Sequence, residues 1–219
     1  MRDIVIIGAS GFARETLAII EDNNRARGND PEWNVLGFVD NNTEVGTLIN
    51  GYPVLGGDDW LIAYPKEICA ACAVGEASIR RRIIEKYRAT PNHVCFPNII
   101  SRRATLTSST TTMGEGCIIC PGNVLTCNIK IGDFMISNMN NTFGHDAIIG
   151  DFVTINPGSN ISGYVTLGKE ITIGAGVQII PNKSVGNGVI IGAGAVVIKD
   201  LPDNCTAVGA PAKPIKFHN

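Results

Sequence analysis

The chain has 219 residues, of which 44% are hydrophobic and only 17% charged, and its formal net charge is −2 at pH 7. A balance this close to neutral offers no basic surface for nucleic acid or for an anionic membrane. No apolar run approaches the ~20 residues of a membrane span, and the N-terminus lacks the pattern of a secretory leader. The sequence therefore predicts a cytoplasmic protein of one large domain or two modest ones.

The seven cysteines favour buried thiols over disulfides or a metal centre. Their number is odd and the chain reads as intracellular, which argues against a disulfide framework. Two Cys-x-x-Cys spacings, Cys69 to Cys72 and Cys117 to Cys120, lie in apolar extended runs, where positions i and i+3 face opposite sides. A zinc site needs such pairs on tight turns, so we predict no metal.

The first ninety residues alternate strands, turns and helices. The sequence predicts a strand at Ile4 to Ile7, a glycine turn at Gly8 to Phe12 and a helix at Arg14 to Asn24. This arrangement can cradle a phosphate, because free N–H groups at the start of the helix attract an anion. The lone Gly-x-x-Gly is weaker than the full dinucleotide fingerprint, so a purely structural turn stays an alternative.

Two further strands of this part end in polar residues. The strand predicted at Val35 to Val39 ends at Asp40-Asn41, where doubly wound folds contact a ribose or base. Another, Ile68 to Val74, ends at Gly75-Glu76 and is followed by a helix from Ala77 to Arg88. The basic residues of that helix predict a solvated outer face, with a phosphate clamp as the alternative: Arg80, Arg81, Arg82, Lys86 and Arg88. Residues 1–90 are predicted to form a Rossmann-like α/β domain.

From Met113 to Pro202 the sequence repeats every six residues. The fifteen positions at this spacing are apolar except Ser137. A period of six suits neither a helix nor an alternating strand and predicts a hexapeptide parallel β-helix, with three hexads in each coil. Five coils stack their apolar columns, since no repeat folds alone. We assign residues 91–202 to the β-helix and 203–219 to a C-terminal cap over its open strand edge.

His145 is the candidate catalytic residue. Of the three histidines it alone lies inside the repeat, in the coil that also holds Ser137 and the aromatic Phe143. A histidine beside a carboxylate can serve as a general base near neutral pH, but Asp146 reaches it only if the pair lies at a corner of the coil. A plain surface histidine is the alternative. One histidine cannot supply the three ligands of a zinc hydratase.

Several motifs together resemble a known family. They are Gly8-Ala9-Ser10-Gly11, Val39-Asp40-Asn41, Val74-Gly75, Gly144-His145-Asp146 with Ile149-Gly150-Asp151-Phe152, and Gly209 with Pro211-Ala212-Lys213. With the hexad array, the chain resembles the bacterial sugar acetyltransferases of the sialic-acid O-acetyltransferase type, which implies a left-handed β-helix. It is most similar there to the N-acetyltransferases of nucleotide-linked 4-amino sugars, as in bacillosamine and perosamine synthesis. The resemblance covers essentially the whole chain.

The resemblance implies a homotrimer that binds acetyl-CoA in the grooves between its β-helices. It implies that His145 removes the proton of the sugar amine, that Asp146 raises its basicity, and that Asn138 lies near the amine. The implied contacts of the nucleotide sugar are Gly8, Ser10, Gly11, Phe12, Asp40, Asn41 and Gly75. The implied contacts of the coenzyme are Thr154, Ala175, Ala193 and Lys213.

Two residues depart from the family pattern. Phe12 stands where the family often has His, and Thr154 stands where a second His often touches the coenzyme. A threonine can still donate a hydrogen bond to the coenzyme, so we expect binding with altered detail. Neither change removes the base.

Transfer of an acetyl group from a thioester needs no metal when both substrates bind together. A base adds about 10²–10⁴-fold, and a backbone N–H can hold the oxyanion. We therefore expect an acetyl-CoA-dependent N-acetyltransferase acting on a UDP- or GDP-linked 4-amino-4,6-dideoxy sugar, for bacterial surface polysaccharide or glycan synthesis. The alternatives are a sugar O-acetyltransferase, for instance of sialic acid, transfer of another acyl group, and a non-enzymatic nucleotide-sugar-binding β-helix protein.

Overall fold

A computed structural model describes residues 1–90, 93–107 and 109–218. Its N-terminal part is a sheet with helices on both faces. The strands are β1 (Arg2–Ile7), β2 (Trp33–Val39), β3 (Leu48–Ile49), β4 (Tyr52–Gly56), β5 (Ile68–Cys72) and β6 (Val94–Cys95), and the helices are α1 (Gly11–Ala26), α2 (Asp58–Ile62) and α3 (Ala77–Arg88). The strand order is β3-β4-β2-β1-β5-β6, and all neighbours are parallel except β3 and β4.

The central strand β1 packs one layer on each side, because its successive side chains alternate between the faces. Ile4 and Ile6 belong to a core with Leu17 of α1, whereas Val5 belongs to a second core with Ile84 of α3. The strands and helices predicted for this part are confirmed within a few residues at their ends. The short elements β3, α2 and β6 have no counterpart in the sequence-based prediction.

The second part is a parallel β-helix whose short strands fall into three sheets. The first sheet holds β7 (Ile99–Ile100), β10 (Ile118–Ile119), β13 (Ile136–Ser137), β16 (Thr154–Ile155), β19 (Thr172–Ile173), β22 (Ile190–Ile191), β24 (Cys205–Val208) and β25 (Lys213–Phe217); the second holds β8 (Thr105–Leu106), β11 (Val124–Leu125), β14 (Thr142–Phe143), β17 (Asn160–Ile161), β20 (Gln178–Ile179) and β23 (Val196–Val197); the third holds β9 (Thr112–Met113), β12 (Lys130–Ile131), β15 (Ile148–Ile149), β18 (Thr166–Leu167) and β21 (Ser184–Val185).

Equivalent strands pair at intervals of 18 residues, as in Ile118, Ile136 and Thr154. The second residue of nearly every strand points inward, and these residues form one continuous apolar core. The hexad column is therefore confirmed as the interior of the β-helix. We call the turn from the first to the second sheet the first corner, the turn from the second to the third sheet the second corner, and the turn back to the first sheet the third corner.

The β-helix begins one coil earlier than the hexad pattern. Strands β7 and β8 pair with β10 and β11 at an interval of 19 residues, as in Ile99 with Ile118. One extra residue between β8 and β9 breaks the strict spacing, so stepping backwards from Met113 in sixes misses this coil. The predicted boundary at residue 91 lies outside the described residues.

The end of the β-helix is closed by its last strands. β24 continues the first sheet in parallel with β22, and β25 returns antiparallel along its edge. Cys205, Ala207 and Ala212 are buried against the last coils and complete the apolar core. All five residues of β25 are exposed, so this strand covers the edge of β24 rather than the interior. Residue 219, part of the predicted cap, lies outside the described residues.

The N-terminal part packs against the outer face of the first sheet. Ile99, Ile118 and Ile136 point outward there and share a core with α1. The third corner contributes Phe134 and Phe152, whose rings stack 5.3 Å apart within the core that includes α3. This contact fixes the orientation of one part relative to the other.

Arg80 corrects the prediction of a solvated basic face on α3. Its side chain is completely buried, whereas Arg82 and Arg88 are exposed. Spacing along the helix places residue 80 on the same side as Ile84 and Tyr87, so it enters the contact with the β-helix. There it is satisfied by carbonyl oxygens of both parts.

The cysteines of each Cys-x-x-Cys pair face different cores, as the strand geometry predicts. Cys69 and Cys72 lie on opposite faces of the sheet, and Cys117 and Cys120 lie inside and outside the β-helix. Burial raises the pKa of Cys72 and of Cys117 to about 12. Across the described ranges, no cluster of three or more His, Cys, Asp or Glu side chains is arranged to hold a metal ion. In the same ranges, none of the helices combines the length and apolarity needed to cross a membrane.

Candidate functional site

His145 and Asp146 form the turn of the second corner, between β14 and β15. Asp146 has a left-handed backbone with φ of 59°, which bends the chain sharply enough to bring neighbouring side chains together. Nδ1 of His145 lies 2.9 Å from Oδ2 of Asp146. The two side chains are 54% and 32% exposed. The corner position that the sequence left open is therefore the one that the structure adopts.

Asp146 is held as a carboxylate by several hydrogen bonds. The bond to His145 is the largest influence that lowers its pKa, and the amide of Asn128, one coil earlier, donates to Oδ1 at 3.1 Å and lowers it further. A carboxylate there accepts the Nδ1 proton of the imidazole, which leaves the lone pair on Nε2. Nε2 is the atom that can accept a proton from a substrate.

Two residues of the next coil hold the other side of the imidazole. A β-carbon on Gly163 would lie 2.7 Å from Nε2 of His145, so the ring packs directly on this glycine. The ring of Tyr164 meets the imidazole edge to face, with centroids 5.0 Å apart. Neither residue was predicted from the sequence, although both lie 18 positions after the histidine and the aspartate, which is the length of one coil.

The polar column residue Ser137 belongs to a buried hydrogen-bond network. Its hydroxyl donates to Oδ1 of Asn123 at 2.5 Å, and the amide of Asn141 donates to it at 3.1 Å. Both asparagine amides also donate to the carbonyl of Asn138, at 2.8 and 2.9 Å. Asn123, Ser137, Asn141 and Ser159 are all fully buried. The network spans three coils and supports the first corner, not the second corner where His145 lies.

Asn138 lies at the first corner with the exposed positions Ala175 and Ala193. Its side-chain oxygen accepts a hydrogen bond from the backbone of Met139 at 2.9 Å. The backbone of Ala175 pairs with that of Gly194 in the next coil at 2.8 Å, so this corner forms a continuous ladder along the β-helix. The structure does not bring Asn138 and His145 together within one chain, because one side of the coil separates their corners.

A cavity of about 260 Å³ opens at the carboxyl ends of β1, β2 and β5. Five of the seven residues expected to contact a nucleotide sugar line it, together with residues from α2 and α3: Gly8, Ser10, Asp40, Asn41 and Gly75, with Asp58, Ile79 and Ile83 among the others. Parallel strands deliver these residues to one edge of the sheet, where ligands of such sheets bind. Gly11 and Phe12 do not line this cavity; they begin α1, and Phe12 packs against the core.

Some polar groups at the mouth of this cavity form hydrogen bonds with one another. Asn41 accepts a hydrogen bond from the backbone of Asp58 at 2.9 Å and donates to its carboxylate at 3.0 Å. Burial raises the pKa of Asp58, but hydrogen bonds from Tyr87, Lys86 and Asn41 outweigh it and hold that pKa below its ordinary value. The sequence did not single out Asp58, because α2 was not predicted.

A larger cavity of about 350 Å³ lies between α1 and the first corner. Glu15 and Asp22 come from the helix, and Arg103, Pro121 and Met139 come from the corner. It reaches the residue next to Asn138. The first corner is therefore flanked by a groove that the N-terminal part helps to form.

Thr154, which we expected to contact the coenzyme, is buried. It is 5% exposed and sits on the outer face of the first sheet, under the N-terminal part. Its hydroxyl donates to the carbonyl of Gly75 at 2.7 Å and accepts from Arg80 at 2.9 Å. No donor of this side chain is left for a coenzyme. Lys213, in contrast, is exposed in β25.

Known proteins are similar to this chain over all or part of its length. The family model of the PglD N-terminal domain matches residues 3–87. A GDP-perosamine N-acetyltransferase from Escherichia coli O157:H7 is 34% identical over 143 residues, which are 65% of this chain and 62% of that protein. The match to this curated relative therefore spans less than two thirds of its length.

Solved structures match the whole fold. The acetyltransferase domain of PglB from Neisseria gonorrhoeae FA1090 is 32% identical, with a TM-score of 0.87 over 98% of this chain and 100% of that one. PerB from Caulobacter crescentus, solved in complex with CoA and GDP-perosamine, is 29% identical, with a TM-score of 0.86 over 99% of this chain and 98% of that one.

Proposed function

We propose acetyl transfer from acetyl-CoA to the amine of a nucleotide-linked amino sugar, on the premise that this chain belongs to the family of β-helical sugar acetyltransferases that includes the PglB acetyltransferase domain. The observation that carries the proposal is the pair of His145 and Asp146, with Nδ1 bound to the carboxylate on an imidazole that is 54% exposed. The acceptor is a UDP- or GDP-linked 4-amino-4,6-dideoxy sugar. PerB, which matches nearly the whole chain, was solved with GDP-perosamine.

In the reaction, the amine of the sugar attacks the carbonyl carbon of the thioester. A C–N bond forms and the carbonyl oxygen becomes an oxyanion, which a backbone N–H can stabilise. Nε2 of His145 takes the proton that the nitrogen must lose. The C–S bond then breaks, and the imidazolium returns the proton to the departing thiolate of CoA. Asp146 stabilises the imidazolium formed between these steps.

The nucleotide sugar binds in the 260 Å³ cavity of an N-terminal domain of Rossmann-like type. Gly8 and Ser10 line this cavity just before α1, where the free N–H groups at the start of the helix can bind a phosphate. Asp40 and Asn41 stand where a ribose or base would be recognised. Gly75, in the loop between β5 and α3, also lines the cavity.

The coenzyme lies along the first corner of a left-handed β-helix, against Ala175 and Ala193. Their exposed backbone ladder gives a pantetheine chain amide partners, and Lys213 supplies a positive charge for its phosphates. Asn138, near the acceptor amine, lies on the same corner. We expect the reaction in the cytoplasm, where acetyl-CoA is available.

A second copy of the chain completes the site. Asn138, Ala175 and Ala193 share the first corner, whereas His145 and Asp146 lie at the second, so one chain cannot offer all of them to one substrate. If the second sheets of three chains face a common axis, the first corner of each meets the second corner of its neighbour. This arrangement is a homotrimer with three shared sites.

A thiol-release assay tests the proposal. Wild type and His145→Ala receive acetyl-CoA and a panel of UDP- and GDP-linked 4-amino sugars, and turnover on one sugar should fall by at least about 10²-fold in the variant. His218→Ala is the matched control, because His218 contacts Thr206 near the end of the chain. Absence of turnover on every amino sugar, with acetyl-CoA still bound, would overturn N-acetylation and direct the search to sugar hydroxyls.

A further inference from the structure

The guanidinium of Arg80 links three stretches of backbone that are far apart in the sequence. It donates to the carbonyls of Val74 and Gly75 at 2.6 and 3.0 Å. It also donates to the carbonyls of Phe134 and Phe152, at 3.0 Å each. The first two carbonyls lie in the loop that follows β5, and the last two belong to successive coils at the third corner. A single side chain therefore ties one wall of the cavity to the β-helix.

The four carbonyl oxygens need a side-chain donor such as the guanidinium of Arg80. Over the part of the chain that the structure describes, no backbone N–H pairs with any of the four, and an unpaired buried carbonyl is costly. The planar guanidinium can reach several acceptors at fixed angles, which a lysine cannot. Burial lowers the pKa of Arg80 to about 10, so the side chain stays charged at neutral pH.

Thr154 completes the junction. Its hydroxyl accepts from Arg80 at 2.9 Å and donates to Gly75 at 2.7 Å. The carbonyl of Gly75 thus receives two donors, one from α3 and one from the first sheet, while Gly75 itself lines the cavity. The opposite side of the residue is free, since a β-carbon there would meet nothing within 4 Å.

We infer that Arg80 and Thr154 are positioning residues that hold Gly75, and with it one wall of the nucleotide-sugar cavity, in a fixed place relative to the β-helix. The inference rests on the proposed function for its substrate. Neither side chain touches the reacting atoms. Loss of the junction should therefore weaken productive binding of the nucleotide sugar and leave binding of acetyl-CoA unchanged.

Thr154 offers the cleaner test, because removal of the buried Arg80 could unfold the chain. Thr154→Val replaces the hydroxyl with a methyl group of similar size, and Thr154→Ser keeps the hydroxyl. Thr172→Val is the matched control, since Thr172 is the equivalent residue of the next coil in the same sheet. Two quantities are measured for each variant: amide hydrogen exchange at residues 73–77 in the free protein, and the KM for each substrate.

For Thr154→Val we expect faster exchange at residues 73–77 and a rise of about fivefold in the KM for the nucleotide sugar. Thr154→Ser should restore both, and Thr172→Val should change neither. Unchanged exchange in Thr154→Val, or a rise in the KM for acetyl-CoA instead, would overturn the inference. If the wild type acetylates no amino sugar, the proposed function fails, but the exchange measurement still decides whether Thr154 holds Gly75.

Discussion

The imidazole of His145 lies against the α-carbon of Gly163, one coil further along the same corner. A β-carbon at residue 163 would come 2.7 Å from Nε2 and 2.8 Å from Cε1 of the ring. Real β-carbons essentially never approach heavy atoms so closely. With Asp146 bound to Nδ1, the glycine fixes the position of the base from its other side.

Gly163→Ala should therefore displace the imidazole without breaking the coil. We expect kcat to fall by about 10–100-fold, because small displacements of a reacting group are costly. The measurement is steady-state turnover together with thermal unfolding. A variant with the wild-type kcat would contradict the close packing, and a collapse of the melting temperature would mean that the substitution acts on the fold instead.

Ser137→Ala should destabilise the β-helix. The hydroxyl donates to the buried amide oxygen of Asn123 and accepts from Asn141, so its removal leaves that amide oxygen of Asn123 without a donor. The free energy of unfolding should drop by about 1–3 kcal/mol, measured by urea denaturation. Ser184→Ala is the control, because Ser184 is exposed at the first position of β21; an equal loss in both variants would argue against the network.

Asp58 should make stability depend on pH in the acid range. Its pKa in the folded chain is lowered from 3.8 by hydrogen bonds that outweigh burial. The unfolded chain therefore binds the proton of Asp58 more tightly than the folded chain does. The carboxylate contributes its full share to the free energy of unfolding above the ordinary pKa, and this share is lost as the pH falls through the folded pKa. Urea unfolding from about pH 7 to about pH 3 should show the difference between wild type and Asp58→Asn narrowing toward acid.

The neighbour Asp59 is the control for that experiment, because it is exposed and lies in the same first turn of α2. Asp59→Asn should follow the wild-type curve throughout. A constant gap between wild type and Asp58→Asn at every pH would mean that packing, not ionisation, accounts for the role of Asp58.

Complementation between variants tests the shared site. His145→Ala loses the base, and Ile79→Trp should block the nucleotide cavity, which Ile79 lines. Each variant alone should be inactive. Mixed assemblies contain sites with an intact histidine from one chain and an intact cavity from another, and random assortment should return up to about a quarter of the wild-type activity.

Mixed assemblies can be verified by purification through two different tags on the two variants. Verified mixed assemblies with no recovered activity would show that one chain supplies both His145 and the cavity. The proposal of sites between chains would then be wrong, while the catalytic role of His145 would stand on the His145→Ala assay alone.

Local patterns in the sequence were enough for the main elements. Strict spacing of apolar residues from Met113 onward predicted the β-helix, because a buried column must repeat with each side of the coil. The glycine turn at Gly8 and the acid at Asp40 predicted where polar residues would gather at the end of the sheet. The sequence singled out His145 as the one histidine in the repeat. Once the register of the strands is known, the coil geometry places His145 and Asp146 at a corner.

Contacts between distant segments were decided by the tertiary structure alone. The charged sequence neighbours of Arg80 predict a solvated cation. In the structure its buried guanidinium donates to carbonyls of residues that are 54 and 72 positions away. The sequence alone predicts that the hydroxyl of Thr154 is free to donate a hydrogen bond, whereas in the structure it donates to the carbonyl of Gly75. Helical and hexad periods fix which side of its own element a residue occupies, but only packing between elements decides what covers that side.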